Sequence, residues 1–156
     1  MINIIIPGWG NMEIENLILD LNGTLSTDGE ISPIVKEKLD HLSRDLNIYI
    51  LTADTQGNAE QMVSDLEVTL VKVPEEGSAQ GKLKFLESLD PSRTVAIGNG
   101  NNDRLMLKEA ALGILVLGEE GVSISTLKDS DILVKSISDA LDLFLKPKRL
   151  IATLRE

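Results

Sequence analysis

Short aliphatic runs recur along this chain, each closed on its carboxyl side by polar or turn residues and each followed by apolar residues at helical spacing. No other feature constrains the fold as much. Ile2 to Ile6, Leu17 to Leu19, Ile48 to Leu51, Val68 to Val73, Thr94 to Ile97, Ile114 to Leu117 and Ile132 to Val134 read as strands. Between them the spacing predicts helices from Pro33 to about Asn47, from Asn58 to Leu66, from Ser78 to Leu89, from Leu105 to Ala111, near Ser123, and from Ile137 to Leu145. Ser32-Pro33 supplies an N-cap and a first helical residue, and Ser78 is a second candidate cap. A chain that alternates β and α in this way predicts an α/β fold. The expected form is a three-layer, Rossmann-like sandwich with a mainly parallel sheet, helices on both faces and right-handed crossovers, preceded by an extra N-terminal strand. With 156 residues, no internal repeat and no dividing linker, residues 1–156 read as a single domain.

Local signals refine this outline. Pro7-Gly8-Trp9-Gly10-Asn11 is a turn, after which Met12 to Leu19 leads into the strand ending at Asp20. The first two strands form a hairpin, or the first lies as an edge arm. Trp9 is a loop residue packed on a sheet edge or a subunit contact. Thr27-Asp28-Gly29-Glu30 makes Leu25 to Ile31 a small hairpin or flap, and Lys146-Pro147-Lys148-Arg149 reads as a helix end favourable to the dipole rather than a binding patch.

Composition removes several classes of function. The formal charge of −10 argues against a nucleic-acid or anionic-membrane partner. No cysteine means no disulfide framework, thiolate nucleophile or cysteine zinc site; a single histidine, His41, excludes a multi-histidine metal site. A metal is therefore expected on oxygen ligands, which favours a hard cation such as Mg²⁺. There is no basic leader ahead of Ile4 to Ile6 and no apolar run approaching a bilayer span, so a soluble cytoplasmic protein is expected.

The chemistry-bearing residues fall at the carboxyl ends of the expected strands, where open α/β sheets place their ligands. Asp20 follows the Leu17–Leu19 run and enters the Asn22-Gly23 turn; Thr52 opens the polar segment Thr52-Ala53-Asp54-Thr55; Lys82 stands near a helix start; Gly98-Asn99-Gly100-Asn101-Asn102-Asp103 follows a later strand. Alone, each has an ordinary structural reading as a turn Asp, a capping Thr, a solvated Lys or a polar loop. Together they suit phosphoryl chemistry. A carboxylate can attack phosphorus, Mg²⁺ on Asp20 and Asp103 would cancel charge repulsion, and backbone N–H groups at Leu21, Asn22 and Gly23, with the Thr52 hydroxyl and the Lys82 ammonium, would hold the non-bridging oxygens.

Asp20-Leu21-Asn22-Gly23-Thr24 resembles the first motif of the haloacid dehalogenase superfamily, Asp-x-Asp-Gly-Thr. Thr52 after an apolar strand resembles its second motif, Lys82 its third, and Gly98 to Asp103 its fourth, Gly-Asp-Gly-x-Asn-Asp. The four occur in order over nearly the whole chain. Within the superfamily the chain is most similar to the phosphorylation domain of P-type ATPases and to soluble P-type ATPase-like proteins: Thr52-Ala53-Asp54 parallels Thr-Gly-Asp, and Asn102-Asp103 through Ala110 to Ile114 parallels the hinge segment.

The resemblance implies Asp20 as nucleophile and Mg²⁺ ligand, Asn22 as a further ligand through its backbone carbonyl, and Asn99 and Asp103 completing the metal site. It implies phosphate binding by Leu21, Asn22, Gly23, Thr52, Ala53, Lys82 and Asn102. The cap domain inserted in many relatives is missing, which implies a homo-oligomer (dimer or tetramer) or a large substrate. Two departures matter. Asn22 stands where a phosphatase of the family has the Asp that protonates the leaving group, a contribution worth roughly a hundred- to ten-thousand-fold. Asn99 stands where a metal-binding Asp is usual, so one negative charge is lost. The expectation is a slow Mg²⁺-dependent phosphatase or phosphotransferase acting on a small phosphorylated substrate. The alternative is a catalytically weak or inactive phosphate-ligand or partner-binding module.

Overall fold

A computed structural model describes residues 1–54 and 57–156, so Thr55 of the polar segment that opens at Thr52 lies outside the described residues. The chain begins with an antiparallel hairpin, β1 (Ile2–Ile6) and β2 (Gly10–Ile14), in which Ile4 faces Met12. The expected lead-in from Met12 to Leu19 is therefore two strands. The break falls at Glu15, whose N–H donates to Arg93 O at 2.9 Å and whose carbonyl accepts from Asn47 N at 2.9 Å as the chain passes between sheets. The hairpin is a two-stranded sheet of its own, and Trp9 sits exposed in its turn.

The main sheet starts with β3 (Asn16–Asp20), followed by α1 (Pro33–Leu42), β4 (Asn47–Thr52), α2 (Asn58–Met62) and β5 (Thr69–Lys72). Then come α3 (Ser78–Ser88), β6 (Thr94–Gly98), α4 (Arg104–Glu109), β7 (Leu112–Val116), α5 (Ile124–Lys128), β8 (Ile132–Val134), α6 (Ile137–Leu145) and α7 (Pro147–Leu154). The six strands of this sheet pair in parallel in the order β5-β4-β3-β6-β7-β8, as the βα alternation predicts.

Strand residues two apart share a face, so one sequence builds both layers of the core. Leu17, Leu19, Ile50 and Ile97 face α1 and α6, together with Ile4, Ile6 and Ile14 of the hairpin; Ile18, Leu51, Ala96 and Leu115 face α3 and α4 through Leu86, Met106 and Leu107. Ser32 caps α1 as expected, its Oγ accepting from Val35 N at 3.4 Å. The flap turns on Asp28 and Gly29, both at positive φ (52° and 78°), between bridged Thr27 and Glu30; this is the mirror-image turn that Asp-Gly favours.

Three sequence expectations need correction. The first helix stops at Leu42 rather than near Asn47, and Asn47 opens β4. Ser78 is the first residue of α3, not its cap; the cap position is Gly77, at φ 71°, where a residue without Cβ is unstrained. The basic cluster does not only end a helix. Lys146 is the last cap of α6, but Pro147 opens α7, and Lys146 and Arg149 both pair with Asp142. Among the described residues no helix is long and apolar enough to cross a membrane.

Candidate active site

The strand order reverses between β3 and β6. From β3 the chain winds outward through β4 and β5, then returns to lay β6 on the other side of β3. A crevice forms at the carboxyl ends of such a pair because the crossovers leave it in opposite directions. Asp20 ends β3, Gly98 ends β6, and Asn99 follows directly.

Lys82 reaches this crevice from the first turns of α3 and is 1% exposed despite its charge. Its Nζ donates to Asp20 Oδ1 at 2.7 Å and to Asp103 Oδ1 at 2.6 Å, so one ammonium lies between two carboxylates. Burial opposes the charge on Lys82, but Asp103 and Asp20 outweigh it and raise the lysine above its ordinary range. The cluster nevertheless carries one excess negative charge. Burial first, and then the Asp103 charge, push the Asp20 carboxyl up from 3.8 to about 6, against the pull of Lys82 and Thr24.

Asp103 is fully buried, and both its oxygens are engaged. Oδ1 takes the lysine, while Oδ2 accepts from Asn99 N at 3.0 Å and Gly100 N at 3.1 Å, fixing the loop that follows β6. Gly98 is required beneath it, since a Cβ there would stand 2.5 Å from Asp103 Cγ. On the opposite side of Asp20, the Thr24 hydroxyl lies 3.1 Å from Asp20 Oδ2 and 3.2 Å from Asn99 Oδ1, and the Asn99 amide donates to Gly23 O at 3.1 Å.

The expected phosphate-binding residues are placed unevenly. Leu21 N–H continues the sheet ladder to Leu51 O at 3.1 Å, and Gly23 N–H closes the turn onto Ser26 O at 3.1 Å. Two of the three amides expected to receive an anion are thus engaged, one in the sheet ladder and one in the turn. That narrows the cradle to Asn22, whose N–H has no protein partner among the described residues. Thr52 is buried at the end of β4, where its Oγ accepts from Asp54 N at 3.0 Å and it does not line the recess. Asp20, Asn22, Ala53, Lys82, Asn99 and Asn102 do line it, around a cavity of about 490 Å³. Sequence reasoning missed two contributors. Thr24, read only as part of a motif, joins the Asp20 carboxylate to the Asn99 amide. Glu120, on the loop after β7, lines the recess, and its carboxylate lies close over Gly23, where a Cβ would meet it. Thr24 was legible from its place two residues after Asn22; Glu120 carried no sequence signal.

The donor set can be tested for a hard cation. Asp20 Oδ2 and Asn99 Oδ1 already converge on one hydroxyl, and oxygen donors of this kind suit Mg²⁺. Among the described residues no three acidic, histidine or cysteine side chains cluster as a metal site, so the two carboxylates that share Lys82, Asp20 and Asp103, are joined only by amide or carbonyl oxygens. These fit a cation that keeps most of its shell as water or substrate oxygen.

No family model matches the chain. Uncharacterized protein MJ0073 of Methanocaldococcus jannaschii is 56% identical over 79 residues, covering 48% of this chain and 85% of that protein. At that identity and coverage the chain and MJ0073 belong to one family. Among solved structures, 3-deoxy-D-manno-octulosonate 8-phosphate phosphatase from Moraxella catarrhalis, in complex with magnesium ion, phosphate ion and KDO, superposes with a TM-score of 0.72 over 91% of this chain and 94% of that one, at 18% identity. BT1666 from Bacteroides thetaiotaomicron, described among the phosphatases of the HAD superfamily, superposes with a TM-score of 0.66 over 91% and 96%, at 13% identity. The fold is that of these haloacid dehalogenase superfamily proteins.

Proposed function

We propose that this chain, of one family with MJ0073 and built on the haloacid dehalogenase fold, is a slow Mg²⁺-dependent phosphohydrolase acting through an aspartyl-phosphate on Asp20. The observation that carries the reading is the buried triad Asp20–Lys82–Asp103 at the β3/β6 switch point, 2.7 and 2.6 Å apart along its two contacts. A structural role alone gives no reason to hold a buried carboxylate at a crevice with its charge under-compensated; activated groups are held in this way.

In the proposed reaction an Asp20 carboxylate oxygen attacks phosphorus, the bond to the leaving oxygen breaks, and the leaving group departs with that bond's electron pair. Water then attacks phosphorus, the Asp20–phosphorus bond breaks, inorganic phosphate leaves, and the water's proton passes to solvent. Lys82 is already hydrogen-bonded to Asp20 and faces the negative charge of the phosphoryl oxygens; the Asn22 N–H adds a donor. Mg²⁺, when bound by Asp20, the Asn22 carbonyl, Asn99 and Asp103, would supply charge neutralisation and orient the phosphoryl group. Asp103 acts as a positioning residue, holding Lys82 and the Asn99–Gly100 backbone in place. Asn22 can neither protonate a leaving group nor activate water, so acyl and aryl phosphates are the preferred substrates.

The reading includes a cytoplasmic protein and, since no cap domain among the described residues covers the recess, a homo-oligomer; light scattering of the purified chain reads the assembly directly. The central test measures p-nitrophenyl phosphate turnover with Mg²⁺ for the wild type and Asp20→Asn. Loss of turnover in the variant is expected, and equal rates would overturn the mechanism. Asn22 and Asn99 favour a second reading, a non-catalytic phosphate-ligand or partner-binding module. Beryllium fluoride with Mg²⁺ separates the two, because it raises the melting temperature only where Asp20 accepts a phosphoryl mimic.

A further inference from the structure

The outer walls of the site are charged in one direction. A cleft of about 900 Å³ shares Asn22 and Ala53 with the Asp20 recess and runs out between the flap, the start of α1, α2 and the loop after β5. A smaller one, about 230 Å³, opens on the other side of Asn22 and Gly23. Glu30, Asp54 and Glu75 line the first; Asp28, Glu119 and Glu120 line the second; all but the half-buried Asp54, whose Oδ2 accepts from Ala59 N at 2.8 Å, are exposed. Among the described residues lining these two clefts the only cation is Lys36, and its Nζ is engaged by both oxygens of Asp65, at 2.9 and 3.0 Å. The larger cleft also presents the Asn58 and Gln61 amides and the Met62 side chain. Its volume suits a small molecule rather than a macromolecular surface.

A phosphoryl group bound at Lys82 leaves the organic half of its substrate in one of these clefts, and the larger is the roomier. There an added carboxylate or second phosphate would meet like charge, a hydroxyl could hydrogen-bond to amides or carboxylates but would gain no charge attraction, and an ammonium would find uncompensated carboxylates at Glu30 and Glu75. Clefts lined by one sign of charge focus the field and select ligands of the other sign.

We infer that the substrate is a small phosphomonoester whose organic half bears an amine, seated in the larger cleft with its ammonium toward Glu30 and Glu75. This deepens the phosphohydrolase reading and rests on it for the position of the phosphoryl group.

The test uses three non-hydrolysable phosphonates of matched length, bearing a terminal amine, hydroxyl or carboxylate: 3-aminopropylphosphonate, 3-hydroxypropylphosphonate and 2-carboxyethylphosphonate. Their binding to the whole chain with Mg²⁺ is measured by calorimetry, with p-nitrophenyl phosphate turnover followed in parallel. The expected order is amine, hydroxyl, carboxylate, with about a tenfold or larger gap between the ends at low salt that narrows in salt and in the Glu30→Gln/Glu75→Gln double variant. Equal binding of the three, or a reversed order, overturns the inference while intact p-nitrophenyl phosphate turnover leaves the phosphohydrolase reading standing. The expected order without any turnover overturns that reading and leaves the charge preference established.

Discussion

At the scale of single residues the site is a compromise between stability and reactivity. Asp20 is raised to about 6 from an ordinary 3.8 because burial and Asp103 together exceed what Lys82 returns. Between those two pH values the folded protein holds the Asp20 proton more tightly than the unfolded chain does. Folding stability therefore falls as pH rises through that window. Without metal, Asp20→Asn is expected to be more stable than the wild type at pH 7.5, by about 3 kcal/mol. At pH 3, below both values, the two should coincide. Urea unfolding at both pH values checks this, and a less stable variant at pH 7.5 would contradict the electrostatics. A steric prediction follows at Gly98. Its added Cβ would press on Asp103, which cannot yield without releasing Lys82 or the Asn99–Gly100 amides. Gly98→Ala should cost about 1–3 kcal/mol and lower p-nitrophenyl phosphate turnover more than tenfold; near-wild-type values for both would show that the loop adapts freely. Asp20, Lys82, Asn99 and Asp103 were legible as a set because each closes a strand or opens a helix in a βα chain. What the sequence could not show is how they divide the work. Asp103 lies fully buried behind Lys82, and Glu120 arrives over Gly23 only because the loop after β7 folds back.

At the scale of elements, the three helices α1, α6 and α7 meet on one buried carboxylate. Asp142 pairs with Lys38 of α1 at 2.8 Å, with Lys146 at the end of α6 at 3.2 Å, and with Arg149 of α7 at 3.0 Å; Lys38 also donates to Ser138 Oγ at 2.7 Å. The Lys38 ammonium, with Lys146, holds the Asp142 carboxyl below its ordinary 3.8. A depressed carboxyl contributes stability above its unfolded value, lost as pH falls through its folded one. Asp142→Asn should thus be less stable than the wild type at pH 7. About 2 kcal/mol is expected, discounted from a fully buried pair because Lys146 and Arg149 are half-exposed. The deficit should shrink as pH falls below 3.8, and unfolding by denaturant at pH 7 and at acid pH measures it. Periodicity announced α1 and α6 well, since Val35, Leu39 and Leu42, or Leu141 and Phe144, repeat at helical spacing. It missed α7 because a proline after a helix reads as a stop, whereas Pro147 occupies the first turn of a new helix, where its missing N–H costs nothing. Leu150, Ile151 and Leu154 then face the core, but a window of eight residues seldom decides such a case.

At the scale of the whole molecule, the sequence predicted a mainly parallel sheet correctly, but the order of its strands arises only in three dimensions. Pairing of β6 with β3 joins Thr94–Ile97 to Asn16–Leu19 across some eighty intervening residues, and no local pattern specifies it. That pairing creates the crevice and brings Asn99 beside Asp20. The molecule's formal charge of −10 then acts on whatever approaches the crevice, and Asp28, Glu30, Glu75, Glu119 and Glu120 concentrate part of it at the entrance. A phosphate dianion is repelled on approach by the same field that would draw in an ammonium. With Mg²⁺ saturating throughout, kcat/KM for p-nitrophenyl phosphate should rise about threefold or more as ionic strength goes from ~20 mM to ~200 mM, because the Debye length shrinks from roughly 20 Å to under 10 Å and the entrance charges are screened. An amine-bearing phosphomonoester should show a flatter dependence, since its attractive and repulsive contributions are screened together. Steady-state kinetics at several salt concentrations separates the cases. A p-nitrophenyl phosphate rate that falls with salt would mean that the potential at the entrance is positive, and that Lys82 and bound cation, rather than the surrounding carboxylates, govern how substrate arrives.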